Sequence, residues 1–180
     1  MKLVIDHIQE KPFPLRIEES AGLFPVLSRM QSEGECTFTG PILCDITAAR
    51  EYDHLRVSGR VDTQVTLACS RCTAIYEAGI GSTFTIIYRK GNFQEVDQEE
   101  ETELSDQDLI SATYIGNEID LTHEIEEQVA MEIPIKPLCN EACKGLCPVC
   151  GIDLNHATCS CSSEQTSFKF SALKDFKVSR

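Results

Sequence analysis

Cysteine is the residue type whose number and spacing in this sequence point most directly to chemistry. The chain has 180 residues and ten cysteines, and eight of the cysteines form close pairs. Two residues between thiolates allow a tight turn to direct both sulfurs at one ion, and four sulfurs complete the tetrahedral coordination of a structural zinc ion. The sequence therefore predicts two structural zinc sites. The predicted ligands are Cys69, Cys72, Cys139, Cys143, Cys147, Cys150, Cys159 and Cys161.

The assignment of these pairs to two ions stays open at the level of sequence. In one arrangement the first four cysteines share an ion and the last four share another, which short loop closure favours. In a second arrangement Cys69 and Cys72 join Cys147 and Cys150, as in a zinc ribbon with a long insertion. One zinc ion with four free thiols is a third alternative, and His156 could replace one sulfur of the C-terminal set. Glycine at position 151, directly after a Cys-Pro-Val-Cys turn, can adopt the positive φ that such a turn requires.

Redox chemistry and catalysis have weaker support. The Cys-Ser-Arg-Cys turn at 69–72 could be a dithiol pair in which Arg71 lowers a thiolate pKa, but neither a helix start nor a βαβ pattern accompanies it. The cysteine spacings of this sequence do not match those of ferredoxin-type iron–sulfur sites. His123 and Glu124 begin like a zinc-protease helix, but Glu127 occupies the second histidine position. Four thiolates per ion leave no coordination site for a reactive water, so we expect a protein that is not an enzyme.

The N-terminal residues help to predict the cellular compartment of the protein. Asp6, His7 and Glu10 interrupt any apolar run, so the segment lacks the core of a secretory signal. No segment reaches the ~18 continuous apolar residues that a membrane span requires. We therefore expect a cytoplasmic protein without a membrane partner, where thiols stay reduced and clustered cysteines bind metal. The isolated Cys36 and Cys44 are expected to be small buried apolar side chains.

The elements that must position the cysteines are mainly strands. Residues 55–68 and 74–89 are rich in alternating β-branched and aromatic side chains, which predicts an antiparallel pair joined by the 69–72 turn. In residues 119–133 apolar side chains recur every four positions, which predicts one amphipathic helix that Pro134 ends. Pro25 is interpreted as a break in regular structure. Shorter strands are predicted at 3–8, 15–17, 34–46 and 113–115.

These elements predict an α+β fold, with an antiparallel β-rich core, one amphipathic helix and a cysteine-rich zinc-binding C-terminal segment. The core spans 1–135 and contains an acidic loop at 91–108 and the helix at about 120–133. The zinc-binding segment, 136–165, is expected to pack on the core. Residues 166–180 form a basic C-terminal tail or short helix.

The formal charge of −13 is concentrated in one part of the chain. Residues 91–133 contain 14 acidic residues and no Lys or Arg. A protein that binds RNA or anionic lipid through a broad basic face is thereby excluded. The acidic part is expected either to face a basic partner or simply to keep the protein soluble. Any RNA contact would use a small basic patch, whose residues are Lys136, Lys144, Lys169, Lys174, Lys177 and Arg180.

The stretch IPIKPLCNEACKGLCPVCGIDLN, which begins at Ile133, and the later Cys159-x-Cys161 pair resemble the C-terminal signature of the YceD family, the large ribosomal RNA subunit accumulation proteins. EIDL at 118–121 and ALKD at 172–175 agree with this resemblance. It implies a role in 23S ribosomal RNA accumulation or processing, with a ribosomal protein or assembly factor as partner. It implies no catalytic mechanism. The alternative function is a thiol-based zinc store or redox-sensing protein.

Overall fold

The computed structural model describes residues 1–91 and 111–161, which build a six-stranded sheet, a two-stranded sheet and two helices. The α+β, β-rich fold class is confirmed. The acidic loop from residue 92 onward and the basic tail at 166–180 lie outside the described residues. The elements are β1 (Lys2–Val4), β2 (Phe13–Glu19), α1 (Pro25–Ser32), β3 (Thr37–Phe38), β4 (Ile42–Glu51), β5 (His54–Ala68), β6 (Ile75–Lys90), β7 (Ser111–Tyr114), β8 (Glu118–Asp120) and α2 (Thr122–Glu132).

A long hairpin of β5 and β6 forms the centre of the six-stranded sheet. Its antiparallel pairing runs without interruption from His54 opposite Arg89 to Ala68 opposite Ile75, which confirms the predicted strand pair. The strand order is β2-β4-β5-β6-β7, and β3 pairs separately with β5. The pairing of β7 with β6 is parallel, so the sheet is mixed rather than purely antiparallel.

One face of this sheet is covered and the other is exposed. Along β5 the apolar side chains of Val57, Val61 and Val65 are buried, whereas Arg56 and Arg60, each directly before one of these valines, are exposed. Period-two alternation is the pattern expected of a strand with one buried face. Both helices contribute to the core on the covered face, so the apolar side of the sheet and the helices form one cluster.

Helix α1 is a correction to the sequence prediction of one helix. Pro25, interpreted from the sequence as a break, is the first residue of this helix. Proline is favoured there because the first helical N–H has no partner within the helix and the fixed φ already suits the helix. Phe24 and Leu27 are fully buried, so packing against the sheet stabilises a helix of only eight residues.

The predicted amphipathic helix is confirmed as α2. It begins later and ends earlier than the predicted range of about 120–133. Leu121, Ile125 and Val129 are buried in the core, as their four-residue spacing predicted. The helix begins at Thr122 because Glu118–Asp120 form β8, which pairs with β1. The described helices include none that is long and apolar enough to cross a membrane.

A buried carboxylate joins the two helices. Glu126 in α2 is only 5% exposed, and its Oε2 accepts a hydrogen bond of 2.9 Å from the backbone N–H of Val26. Val26 lies in the first turn of α1, where N–H groups lack partners and the helix dipole favours negative charge. An acidic residue of one helix therefore caps the other.

Replacing Glu126 with alanine is expected to lower the free energy of unfolding by about 1–3 kcal/mol, because the Val26 N–H then loses its acceptor. Glu126→Gln should cost less, since an amide oxygen can still accept. Urea denaturation followed by circular dichroism measures both values. The control is Glu127→Ala on the exposed side of α2, and an equal loss in the control would contradict the capping role.

Candidate metal centres

The eight paired cysteines lie in two groups of four within the part of the chain that the structure describes. We call Cys69, Cys72, Cys139 and Cys143 the first tetrad, and Cys147, Cys150, Cys159 and Cys161 the second tetrad. The sulfurs of each tetrad all lie within 4.8 Å of one another. This is the first of the arrangements that the sequence left open, so the ribbon-like arrangement does not form. His156 is in neither tetrad and its Nε2 lies 3.7 Å from Asp153.

The spacing of the sulfurs in the first tetrad suits a tetrahedral ion. Cys69 Sγ and Cys143 Sγ are 3.8 Å apart, and Cys72 Sγ and Cys139 Sγ are 3.7 Å apart. A tetrahedron with zinc–sulfur bonds of about 2.3 Å has sulfur–sulfur edges of about 3.8 Å. The donors present therefore fit zinc in size and in chemical type.

The turn between β5 and β6 supplies two sulfurs of the first tetrad. The Cys69 N–H donates to the Ala74 carbonyl and the Thr73 N–H donates to the Cys69 carbonyl, each at 2.9 Å. Thr73 adopts a left-handed φ of 61°, which closes this short connection. The Arg71 N–H points at Cys69 Sγ at 3.5 Å. Backbone pairing thus holds the turn in shape and provides a donor to a sulfur.

Arg71 attaches this turn to the loop that carries the other two sulfurs. Its Nη1 donates to the carbonyl oxygens of Glu141 at 3.2 Å and Cys143 at 2.7 Å. The Arg71 carbonyl accepts from the Leu146 N–H at 3.0 Å. The sequence suggested that Arg71 would stabilise a thiolate, whereas in the structure its guanidinium holds main-chain carbonyls. It is a positioning residue for the loop at 139–146.

Two positioning residues had no spacing signal in the sequence. Gly145 has a φ of +74°, and a Cβ there would lie 2.9 Å from the Arg71 carbonyl oxygen, so the loop can approach the turn only with glycine. Asn155 donates from Nδ2 to Cys143 Sγ at 3.4 Å and accepts the Lys144 N–H at 2.8 Å. Each of these two residues contacts residues that are distant in sequence, so no local motif identifies it.

The second tetrad is organised by its own turn. The Cys147 N–H donates to the Ile152 carbonyl and the Gly151 N–H donates to the Cys147 carbonyl, each at 2.8 Å. Gly151 has a φ of +74°, which confirms the prediction for this position. Cys147 is buried, whereas Cys150, Cys159 and Cys161 are exposed. In the first tetrad only Cys139 is exposed, so the two tetrads differ in their access to solvent.

Backbone amides prepare one sulfur of each tetrad to be a thiolate. The backbone N–H of Cys139 is the main cause that lowers the pKa of Cys69 to about 6. The backbone N–H of Cys150 does the same for Cys147, whose pKa is also lowered to about 6. Conversely, hydrogen bonding with Cys72 raises the pKa of Cys139 to about 12. Four clustered thiolates require a compensating cation, so metal binding would release the remaining protons.

The two cysteines outside the tetrads lie in the core. Cys36 is 4% and Cys44 is 1% exposed, as the sequence predicted for small apolar side chains. Burial raises the pKa of the Cys44 thiol to about 12, so this thiol stays neutral at physiological pH. These two residues therefore contribute to packing.

Gly145→Ala is expected to lower the free energy of unfolding by about 1–3 kcal/mol and to weaken metal retention by the first tetrad, because it adds a clash to an unfavourable φ. Gly116→Ala is the matched control: its φ is +87°, but a Cβ there has no neighbour within 4 Å. Measurements of thermal unfolding and of metal content in both variants separate the effect of the clash from the effect of the positive φ. Equal effects of both substitutions on metal content would contradict the role given to the close approach.

Comparison with known proteins adds the family. The family model described as "Large ribosomal RNA subunit accumulation protein YceD" matches residues 57–177. A Zea mays protein named "Large ribosomal RNA subunit accumulation protein YCED homolog 1, chloroplastic" is 30% identical over 142 residues, which is 67% of this chain and 48% of that protein. The Arabidopsis thaliana protein of the same name is 29% identical over 144 residues, 69% of this chain and 45% of that protein.

An uncharacterized protein of Mycobacterium tuberculosis is 28% identical over 110 residues, 61% of this chain and 50% of that protein. The chain thus spans about half the length of the curated relatives it matches. No solved structure matches it. Because the family model covers the greater part of the chain, including the β5–β6 hairpin from Val57 onward and both tetrads, this protein belongs to the YceD family.

Proposed function

We propose that this protein is a non-enzymatic factor that supports the accumulation of large-subunit ribosomal RNA, and that its two cysteine tetrads hold zinc ions that stabilise its structure. The observation that carries the proposal is the family match over residues 57–177, which includes both tetrads. The names of the Zea mays and Arabidopsis thaliana relatives refer to the same process.

Zinc in the first tetrad would act as a cross-link. It would join the β5–β6 turn, which carries Cys69 and Cys72, to the chain that follows α2, which carries Cys139 and Cys143. Zinc in the second tetrad would close the loop from Cys147 to Cys161. Four thiolates fill the coordination sphere of each ion, and this supports a structural role rather than activation of a water or substrate.

The charge distribution supports a basic protein as the partner. The acidic surplus lies in residues 91–133, and its described part includes the exposed side of α2. Complementary charge mainly accelerates encounter and excludes wrong partners. Of the predicted basic patch, Lys136 and Lys144 are exposed, and the other four residues lie outside the described part of the chain. A ribosomal protein or assembly factor is therefore the proposed partner, with ribosomal RNA as a contact of that small patch.

The solvent exposure of the second tetrad favours one alternative function, that of a thiol-based zinc store or redox sensor. Cys150, Cys159 and Cys161 are open to solvent, as expected of a thiol-based zinc store or redox sensor. Such a protein would exchange its second ion while the β-rich core stays folded. The cytoplasmic location and the division of the chain at residues 135 and 165 stay predictions from the sequence.

Native mass spectrometry is expected to find two zinc ions per purified chain. Cys72→Ser and Cys150→Ser should each remove one ion, because each breaks a different tetrad. Cys36→Ser, outside both tetrads, is the control and should retain both ions. A purified chain that binds no metal would contradict the zinc proposal. Loss of the second ion under mild peroxide, with unchanged circular dichroism, would favour the zinc-store or redox alternative.

Affinity capture from cell lysate at low and high salt is expected to recover a large-subunit ribosomal protein, an assembly factor or precursor ribosomal RNA. Recovery should fall at high salt, because exposed charges are screened. Replacing the acidic residues between 95 and 108 with serine or asparagine tests whether that segment contributes. Absence of every large-subunit component from the captured material, together with unchanged large-subunit RNA in cells lacking the protein, would overturn the ribosomal role.

A further inference from the structure

Residues 151–158, which we call the linking segment, join the two cysteine pairs of the second tetrad. The segment runs from Cys150 to Cys159, so a ligand of the second tetrad lies at each of its ends. Within it, the carboxylate of Asp153 holds a turn: its Oδ1 accepts from the Asn155 N–H at 2.9 Å and from Asn155 Nδ2 at 2.7 Å. The side chain of Asn155 is thus oriented from within the segment.

Asn155 connects the linking segment to the first tetrad. Its Nδ2 donates to the sulfur of Cys143 at 3.4 Å, and its Oδ1 accepts from the Lys144 N–H at 2.8 Å. Beside it, the Leu154 N–H donates to the Gly145 carbonyl at 2.9 Å. Hydrogen bonds from the linking segment therefore reach a sulfur of the first tetrad and the two residues that follow it.

The two tetrads also share a short stretch of chain. Three residues separate Cys143 of the first tetrad from Cys147 of the second. Leu146 in this stretch forms an antiparallel bridge with Asp153, and its N–H donates to the Arg71 carbonyl at 3.0 Å. A displacement of the linking segment would therefore act on the β5–β6 turn, which carries the other pair of first-tetrad sulfurs.

A cavity of about 310 Å³ shows what the linking segment covers. Its lining includes three cysteines of the first tetrad and three residues of the linking segment, namely Cys72, Cys139, Cys143, Asp153, Asn155 and His156. Of the first tetrad, only Cys139 is exposed. Release of the linking segment would remove part of the wall of this cavity, so water and competing ligands would reach the other sulfurs.

The position of Asn155 depends on the two ends of the linking segment. None of residues 151–158 is buried, so an apolar core does not keep the segment in place. An ion held by the second tetrad would fix both of its ends. Loss of a hydrogen bond that supports a metal ligand typically lowers metal affinity about 10- to 100-fold. Metal binding at one tetrad should therefore change metal affinity at the other.

We propose that Asn155 couples the two metal centres, so that each tetrad retains zinc more strongly when the other tetrad is filled. This inference rests on the zinc sites of the proposed function and makes retention in the more buried first tetrad depend on the more exposed second one. Because coupling is reciprocal, the same factor applies in both directions. Repulsion between two filled tetrads, each with a net negative charge, opposes coupling but is screened by salt, whereas the Asn155 contacts are direct.

Native mass spectrometry of the purified chain at a series of buffered Zn²⁺ concentrations tests the coupling. Chains with no ion, one ion and two ions differ in mass. Cys150→Ser retains only the first tetrad and Cys72→Ser only the second, so these variants give the affinity of each site alone. Each site alone should bind about tenfold more weakly than it does in the full chain with the other tetrad filled. In the full chain, one-ion species should be correspondingly scarcer than independent sites allow.

A second pair of variants tests the role of Asn155 with all eight cysteines present. Asn155→Ala should bring the coupling factor close to one. Asn140→Ala is the matched control, because Asn140 lines the same cavity but its Oδ1 accepts from the Ala142 N–H at 2.8 Å, within the first tetrad's own loop. This control can change the affinity of the first tetrad, but the coupling factor should stay within about twofold. Circular dichroism checks that both variants keep the β-rich core.

Three outcomes would overturn the proposal. A one-ion population equal to that of independent sites would exclude coupling, and a larger one would show that repulsion between the tetrads dominates. Coupling that survives Asn155→Ala would exclude the role given to this residue. All three results leave two zinc sites in place, whereas a chain that binds no Zn²⁺ would remove the zinc proposal together with the coupling. The ribosomal role is tested separately by the capture and RNA measurements.

Discussion

The junction between the β5–β6 turn and residues 137–147 is the contact on which the cysteine-rich region depends. The Ser70 N–H donates to the Pro137 carbonyl at 2.8 Å, and Arg71 holds the carbonyls of Glu141 and Cys143. The first tetrad lies at the centre of this junction. Beyond it, residues 144–161 bury few side chains and contain no helix or long strand. In these residues the clustered cysteines and main-chain hydrogen bonds take the place of an apolar core.

The rest of the molecule is stabilised differently. The β5–β6 hairpin, both helices and the β1–β8 pair share one apolar cluster. Polar contacts adjust this core, as when buried Glu126 caps α1. A cysteine-rich segment with little apolar core is thus attached through one turn to a scaffold that has an extensive one.

Local patterns predicted the elements whose evidence lies within a few residues. Alternation in β5 and the four-residue spacing of Leu121, Ile125 and Val129 report burial directly, because strand and helix periods place those side chains on one face. α1 escaped prediction because Pro25 breaks a helix interior but favours a helix start, and only burial of Leu27 decides between them. The late start of α2 depends on β1, more than 110 residues away in sequence, which claims Glu118–Asp120 as a strand partner.

The sequence by itself determined the chemistry of the candidate sites: sulfur donors in close pairs, each pair able to point at one ion because one to three residues separate its members. It also determined that the protein is acidic. Only the tertiary structure decided which pairs meet, because Cys72 and Cys139 are 67 residues apart and approach through the β5–β6 hairpin and the path of α2. Likewise, only packing placed the carboxylate of Glu126 at the first turn of α1. The physical reason is common to both: ligand type and charge are properties of residues, whereas proximity between distant residues is a property of the folded chain.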